Sequence, residues 1–441
     1  MKKLVCMMFL ASVSGALPAA DLMQVYRLAQ DNDPSFAAAK ASLEAGQEKG
    51  PQGLSGLLPV IGASANRTRN DIEVTSVTTG AQNDSKYTSR GYMVSLSQPL
   101  FRWQNWAAYG QSKYMVAQAE ANFVQARQDL ILRVAQAYFD LLYAQDNLKA
   151  VLASKKAISQ QLEQAKKNFE VGTATVTDTH EAQARFDLVS AQEIAAQSDL
   201  EVKRTALQAI VARDPGPLAP TRGNISIAPP QPTAMDQWVS AAEKDAIAVQ
   251  IQTAAVEIAD KEVQKQRAGH LPTVDLVATT GKSRSLSSFG ALADTEAKTI
   301  GVQVNIPLFQ GGYVLSKDRE AVANRRAAES MLEAAKRGSA QAARQYYLGV
   351  VNGIAQIKAL EAGLASSLLA LEANKLGYEV GVRINIDVLN AEQQVYLTRR
   401  DLAKSKYDTL LALLKLKNAV GSLGEDDVLQ INALLDPMAA K

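Results

Sequence analysis

The chain has 441 residues, with 47 Lys or Arg against 45 Asp or Glu, and a single cysteine, Cys6. A charge balance this close to neutral argues against a nucleic-acid partner, and one cysteine excludes a disulfide framework and a cysteine metal site. The two histidines, His180 and His270, lie far apart in the sequence. We therefore predict no metal and no cofactor.

Residues 1–20 predict a cleaved secretory signal. Lys2 and Lys3 precede an apolar run and then small residues up to Ala20, near which we expect cleavage. Cys6 stands early in the apolar run, which argues against a lipid anchor. Beyond the signal no run of 18 apolar residues occurs, so we expect no transmembrane helix, and a membrane role requires β-strands.

The first repeat, 21–212, begins with a helix from Asp21 to about Lys49, which we expect Gly50-Pro51 and Gly53 to break. Alternating β-branched residues then predict a hairpin at about 60–98, with its polar loop around Gly80 to Lys86. A stretch almost free of Gly and Pro predicts a helix at about 102–171, roughly 90 Å long over its Gly- and Pro-free part. A return helix follows at about 178–212.

The second half repeats this order after a Pro-rich connector, 213–232. Pro99-Leu100-Phe101 returns as Pro307-Leu308-Phe309, and Tyr138-Phe139 as Tyr346-Tyr347. The second repeat, 233–420, is predicted to hold a helix, a hairpin at about 273–306, a long helix at about 313–379 and a return helix at about 387–420. A short segment, 421–441, ends the chain.

Each chain thus offers four predicted strands of roughly ten residues, the length of a tilted outer-membrane span. Four strands cannot close a barrel, and edge strands in lipid leave amides without partners. Two chains supply eight strands, whose interior side chains fill, whereas three supply twelve and leave room for a pore. We favour a homotrimer, with the long helices in the periplasm.

Several motifs together resemble the TolC family of outer-membrane efflux and secretion channels. They are Asp21-Leu22-Met23-Gln24-Val25-Tyr26, Gly269-His270-Leu271-Pro272-Thr273, and Gly377-Tyr378-Glu379-Val380-Gly381 with Asp387-Val388-Leu389. The resemblance spans about residues 21–435. It implies a mostly α protein with a membrane β part: a trimeric twelve-stranded outer-membrane barrel, a twelve-helix periplasmic α-barrel and a mixed equatorial belt.

The resemblance also implies a function without enzymatic activity. Family members form the exit duct of tripartite efflux pumps and type I secretion systems. Their partners are a periplasmic adaptor, or membrane fusion protein, and an inner-membrane pump of RND, ABC or MFS type. The cell outer membrane is the implied location, with its lipid as a further partner. The exported substrate is left open.

In the family, polar links hold the periplasmic end shut. By resemblance, the residues at the linking positions are Asp178 in the first half and Tyr378 and Arg383 in the second, and Asp387 matches a family aspartate that helps form an acidic ring at the constriction. Asn390 departs from the pattern, because an aspartate of the acidic ring is expected there. The alternative for Asp178, with Glu181, and for Asp387 is that both are helix N-caps.

The two turns between the long and return helices are implied to meet the adaptor. They carry Val171-Gly172-Thr173 and Val380-Gly381-Val382, and both glycines suit the position just after a helix C-terminus. Trp103 and Trp106 follow the first hairpin. They suit an aromatic belt at the bilayer interface or packing at the strand-to-helix transition.

Two rival functions remain. A periplasmic coiled-coil scaffold, or the adaptor itself, explains the long helices but not the two hairpins. An exported hydrolase needs a nucleophile and a base, and the sequence shows no nucleophile elbow, metal cluster or phosphate loop.

Overall fold

The computed structural model describes residues 19–223, 225–286 and 291–436. The predicted signal, residues 1–20, therefore lies outside the described residues except for its last two. In the described part, four strands and ten α-helices run in chain order. They are α1 Leu22–Asn32, α2 Pro34–Gln47, α3 Lys49–Ser55, β1 Val60–Thr75, β2 Gln82–Phe101, α4 Trp103–Glu170, α5 Val176–Val211, α6 Met235–Asp245, α7 Ile247–Arg267, β3 Thr273–Leu286, β4 Leu292–Asn305, α8 Tyr313–Glu379, α9 Asn385–Ala419 and α10 Glu425–Asn432.

The chain divides into two compact units, and each takes segments from both sequence repeats. Unit 1 is Met1–Ala39, Val124–Ala246 and Arg337–Lys441, and unit 2 is Lys40–Phe123 and Ile247–Lys336. Helices α4 and α8 contribute residues to both units. Folding thus groups corresponding parts of the two repeats instead of separating one repeat from the other.

The first predicted helix is wrong in its bounds. The helix ends at Asn32, restarts at Pro34 and continues as α3 through Gly50, Pro51 and Gly53. Pro34 and Pro51 stand in first turns, where a helix needs no backbone N–H from them. A Cβ on Gly53 would lie 2.2 Å from Ser112 Oγ on α4, so the glycine permits close helix packing instead of ending the helix.

Helices α4 and α8 have 68 and 67 residues, about 100 Å each at 1.5 Å per residue. Helix α8 contains an 18-residue window apolar enough to cross a membrane by length and composition, although no run of 18 apolar residues occurs. Only 6% of that window is buried within the chain. Its aliphatic residues raise the mean hydropathy, and no more than two charged residues fall within the window.

The core of unit 1 is built on aromatic residues of α4 and α9. Tyr138 and Phe139 are buried, with their rings 5.7 Å apart edge to face, and Phe139 stacks on Tyr407 at 5.6 Å. The Tyr138 hydroxyl donates to the Ala219 carbonyl at 2.8 Å. Tyr346 and Tyr347, the corresponding pair, are only partly buried against a separate cluster around Trp238. Corresponding residues of the two repeats are therefore not equally buried.

Unit 2 contains one antiparallel sheet with strand order β1-β2-β3-β4. The strands have 16, 20, 14 and 14 residues, so the predicted length of roughly ten was too short. Polar residues assigned to the first loop continue the hairpin instead, since Gln82 pairs with Thr75 and Lys86 with Asp71. The loop of the second hairpin is predicted near Ser283 to Gly290, and residues 287–290 of it lie outside the described residues.

The sheet has two chemically different faces, because paired residues of neighbouring strands point the same way. The aliphatic face includes the row Ile61, Leu96, Ala278 and Ile300. The polar face includes the row Gly62, Ser95, Thr279 and Thr299. Ile61 and Ile300 are 68% and 78% exposed, so the other described residues of the chain leave both side chains largely uncovered.

An ion pair holds the junction between sheet and helix. Arg102 lies between β2 and α4, and its Nε and Nη2 each donate to Asp275 on β3 at 2.7 Å. Asp275 is 7% exposed, and such a two-pronged contact fixes direction as well as distance. The register of β2 against β3 shifts between Pro99 and Phe101, just before this pair. The strand therefore ends at a bulge and an ion pair, from which α4 departs.

Candidate functional site

Two turns of unit 1 hold the residues that the family resemblance points to. One turn, 171–175, joins α4 to α5 and the other, 380–384, joins α8 to α9, and we call these turns the tips. Gly172 and Gly381 have φ of 76° and 79°, the left-handed conformation that glycine adopts without strain. The next residue in each turn, Thr173 or Val382, donates its N–H to a carbonyl five residues earlier at 2.8 Å. The predicted position of both glycines after a helix C-terminus is confirmed, and the two turns share one backbone design.

The tips present apolar side chains to solvent. Val171, Val380 and Val382 are 73%, 65% and 78% exposed. Thr173 is exposed as well, although its hydroxyl donates to the Asn168 carbonyl at 3.1 Å. Both tips thus offer a small apolar surface on a rigid turn, which suits docking against another protein.

Asp178 caps its own helix, but not as the N-cap residue. Thr175 is the N-cap of α5, and Asp178 stands at the third helical position. The Asp178 carboxylate accepts from the Thr175 backbone N–H at 2.9 Å, and the Asp178 N–H donates to the Thr175 hydroxyl at 3.3 Å, so the two residues form a capping box. The expected capping pair of Asp178 with Glu181 is therefore wrong, because the helix begins earlier, at Val176.

The second tip begins its return helix differently. Ile384 is the N-cap of α9 and supplies no side-chain hydrogen bond, and Asp387 stands at the third helical position instead of the N-cap. Arg383 Nη1 lies 3.6 Å from Asp387 Oδ2. A carboxylate in the first turn is favoured by the helix dipole and here also faces a cation.

Gly377 creates the space in which Arg383 lies. A Cβ built on Gly377 would be 2.7 Å from Arg383 Cγ and 3.4 Å from its Cβ, so the aliphatic part of Arg383 crosses directly over the glycine. A methyl group there would force Arg383 to move.

Two polar contacts join the first repeat to the second near the tips. Asn168 Nδ2 donates to the Tyr378 hydroxyl at 3.1 Å, and Arg185 Nη2 donates to Asn390 Oδ1 at 2.8 Å. Tyr378 is thus brought together with Asn168 of α4, whereas Asp178 bonds its own turn. Asn168 and Arg185 were not predicted from the sequence, because nothing local marks a polar helix residue whose partner lies about 200 positions away.

Buried groups stabilise the helices that the tips connect. Glu392 is 6% exposed and pairs with Lys375 Nζ at 3.0 Å, which ties α9 to α8. A hydrophobic cluster joins α4, α5 and α9 in the same region. It includes Val151, Ile158, Leu162, Ala165, Ala182, Val189 and Leu389.

Metal binding has no structural support in the described ranges. Across residues 19–223, 225–286 and 291–436, no group of three or more His, Cys, Asp or Glu side chains converges. His180 lies on α5, and His270 ends a short 3₁₀ turn after α7.

Trp103 and Trp106 lie at the start of α4. They are 49% and 52% exposed, so the chain's own packing covers only about half of each side chain.

A long-stranded antiparallel sheet that continues into helices of 68 and 67 residues defines a known class of outer-membrane protein. The model of the outer membrane efflux protein family matches residues 25–213 and 238–422. The chain belongs to this family of outer membrane efflux proteins.

Individual relatives agree over nearly the whole chain. Outer membrane protein TolC of Vibrio cholerae is 32% identical over 96% of each chain. The alkaline protease secretion protein AprF of Pseudomonas aeruginosa is 33% identical over 92% of this chain and 85% of its own. The proteases secretion protein PrtF of Dickeya chrysanthemi is 31% identical over 98% and 95%. None of these names describes an enzyme.

Solved structures share the fold. The outer-membrane protein VceC of Vibrio cholerae has a TM-score of 0.78 at 21% identity, over 92% of this chain and 99% of its own. The CmeC outer-membrane channel of Campylobacter jejuni has a TM-score of 0.80 at 18% identity, over 95% and 90%.

Proposed function

We propose that three copies of this chain form a channel-tunnel through the outer membrane. The open sheet is the observation that carries the proposal. In the described residues β1 pairs only with β2 and β4 only with β3, while the aliphatic face is exposed. Edges in lipid must be paired, and three sheets joined edge to edge give a closed twelve-stranded barrel. The exposed aliphatic face argues against a soluble scaffold.

The helices extend the channel into the periplasm. Helices α4, α5, α8 and α9 from three chains supply twelve, and the shorter helices α1, α6 and α10 supply the equatorial belt. Because α4 and α8 are each about three times longer than the hydrocarbon layer is thick, they project into water. Trp103 and Trp106 then lie at the inner bilayer interface, where half-exposed indoles are favoured.

The periplasmic end is closed by polar side chains near the tips. Tyr378, Arg383 and Asp387 of the second repeat, with Asp178 of the first, form the gate. The hydrogen bond from Asn168 to Tyr378, which joins the two repeats, supports this assignment. Asn390 makes the entrance less acidic than an all-aspartate ring. Contacts of this kind are worth about 1–3 kcal/mol each, and threefold symmetry multiplies them.

A periplasmic adaptor docks on the tips, Val171-Gly172-Thr173 and Val380-Gly381-Val382, and an inner-membrane pump of RND, ABC or MFS type drives export. Binding the open form more tightly is sufficient to open the gate. The names of the relatives support both efflux and protein secretion as uses of the duct. The chain itself carries out no chemical reaction and takes no cofactor.

The decisive measurement is single-channel conductance in planar bilayers. We expect small conductance from the native chain and a several-fold increase from the Tyr378→Phe, Arg383→Ser double variant, because that change removes the gate's hydroxyl and guanidinium. Well-folded, bilayer-inserted protein without channels would refute the duct. Equally large conductance from the native chain and the double variant would agree with a duct but would contradict the proposed gate.

Gly377→Ala tests the gate without touching a polar group. Its methyl group displaces Arg383, so we expect conductance to rise in the direction of the double variant. Gly338→Ala is the matched control, since a Cβ at that position of α8 meets nothing within 4 Å. Unchanged conductance in both glycine variants would show that the position of Arg383 does not control closure.

A further inference from the structure

Three arginines stand side by side across the sheet. Arg67 on β1 pairs with Arg90 on β2, which pairs with Arg284 on β3, and Asp294 on β4 completes the row. Like charges directly opposite one another destabilise a sheet. Asp294 neutralises only part of the row, because it pairs with Arg284 Nη2 at 2.7 Å and lies 4.0 Å from Lys282 Nζ.

Neighbouring rows of the same face enlarge this cationic band. Three rows that are paired across all four strands hold five cations against two acids, Asp294 and Glu296, and Arg69, which pairs with Thr88 in the next row of β1 and β2, is a sixth cation. Glu296 pairs with Lys298 at 3.2 Å. Among the described residues, no carboxylate lies within 4.0 Å of the remaining three arginines. The cations are Arg67, Arg69, Arg90, Lys282, Arg284 and Lys298.

The band has a defined place relative to the aliphatic surface. Arg67 follows Ile61 by six residues on β1, about 20 Å at most along an extended strand. The arginines lie towards the hairpin turn at 76–81, whereas α3 and α4 adjoin the opposite ends of β1 and β2. Tyr92, 60% exposed, stands between the aliphatic residues and Arg90 on the same face. This order of aliphatic, aromatic and cationic residues matches the passage from hydrocarbon to a lipid headgroup layer.

The cations also converge in space. A hollow of about 510 Å³ on the sheet is lined in part by Arg90, Tyr92, Lys282, Arg284 and Asp294. Guanidinium groups bind phosphate with two parallel hydrogen bonds, and an aromatic ring beside them offers a surface for a sugar or an acyl chain.

We propose that this cationic band binds the phosphate groups of a phosphorylated glycolipid, the lipopolysaccharide of the outer leaflet. The proposal rests on the barrel proposed above, with its hairpin turns facing the cell exterior. Bound phosphates remove the repulsion among Arg67, Arg90 and Arg284. The threefold assembly repeats the band around the barrel.

Lipid A is the probe for the test. The purified full-length protein in detergent is titrated with lipid A, dephosphorylated lipid A, phosphatidylglycerol and phosphatidylcholine, and bound lipid is counted by native mass spectrometry. We expect the Arg67→Gln, Arg90→Gln double variant to bind lipid A about tenfold more weakly than the native chain. The Arg319→Gln, Arg326→Gln variant, which removes two exposed arginines of α8, should match the native chain.

The outcomes separate the possible errors. Equal binding of lipid A and dephosphorylated lipid A by the native chain would overturn the phosphate site. Binding of phosphatidylglycerol as tight as that of lipid A would overturn the assignment to a glycolipid. If the double variant binds lipid A with unchanged affinity, the cationic band is not the lipid A site. Conductance shows that each variant is folded, and Arg67→Gln alone replaces the double variant if that one forms no channels. If the native protein forms channels but does not bind lipid A, only this inference is refuted. If the native protein forms no channels, the proposed barrel is refuted.

Discussion

Asp33 ends helix α1, begins helix α2 and forms an ion pair with α4. Its backbone N–H bonds the Ala29 carbonyl to close α1, and its carboxylate accepts from the Phe36 N–H at 2.7 Å to start α2. Arg133 of α4 then donates to both carboxylate oxygens at 2.9 and 3.0 Å. Burial alone would raise the pKa of Asp33, but the hydrogen bonds from Arg133 and Phe36 outweigh it and lower the pKa.

This lowered pKa predicts a pH-dependent stability. A carboxyl group with a depressed folded-state pKa stabilises the fold at pH values above its unfolded pKa, about 4, and loses that contribution as the pH falls through the folded value. We expect Asp33→Asn to cost about 2 kcal/mol at pH 7, measured as the free energy of urea unfolding in detergent. The difference from the native chain should shrink below about pH 4.

Asp31→Asn provides the control for this measurement, because Asp31 is an exposed residue at the end of α1. We expect it to change stability by less than about 0.5 kcal/mol. An Asp33→Asn penalty of the same size at pH 3 and pH 7 would contradict the role given to the ionised carboxylate.

Among the residues, those with a local backbone signal were the predictable ones. Gly172 and Gly381 were placed correctly because few residues other than glycine accept the left-handed conformation after a helix. The partners of Tyr378 and Asn390 were not predictable. Asn168 and Arg185 are ordinary polar helix residues, and only packing brings them within hydrogen-bond distance.

At the scale of elements, Gly353 of α8 marks a close contact with α9. A Cβ on Gly353 would lie 2.3 Å from Thr409 Oγ1 of α9. Thr409 is 2% exposed, and its hydroxyl donates to the Ser405 carbonyl at 2.7 Å, so it has little room to move. The glycine therefore lets α8 and α9 approach each other despite its cost in helix propensity.

Gly353→Ala should lower stability by about 1–3 kcal/mol, because the added methyl group overpacks the contact. Gly349→Ala is the matched change one turn earlier. There a Cβ would meet Ala412 at 3.6 Å, an ordinary contact, and the alanine should be neutral or stabilise by up to about 1 kcal/mol. Thermal unfolding followed by circular dichroism distinguishes the two. Equal melting temperatures would show that the helices adjust without cost.

Helix bounds were largely predictable, whereas strand lengths and the first helix were not. Absence of Gly and Pro is a reliable sign of helices as long as α4. The polar segment Gln82–Lys86 resembles a loop in composition, but its pairing with Asp71–Thr75 extends both strands. At Pro34 and Pro51 the position within the helix decided the outcome, since proline is tolerated in a first turn.

At the scale of the whole molecule, the proposed trimer pairs the two sheet edges that have no partner strand among the described residues and turns the exposed aliphatic face towards lipid. We expect the purified protein in detergent to have three times the mass of one chain, measured by light scattering with the detergent contribution subtracted. A cysteine pair that joins β1 of one copy to β4 of the next should yield a covalent trimer on oxidation. A monomer or dimer as the largest stable species would contradict the proposed barrel.

The sequence by itself determined the internal repeat, the long helices, the glycine turns and the family, because each depends on residues close together or on a pattern carried along the chain. Tertiary structure decided the rest. The division into two units, the contacts of Tyr378 and Asn390, and the row of Arg67, Arg90 and Arg284 depend on register and packing between distant segments. One residue of register reverses which face a strand side chain occupies, and no local signal specifies it.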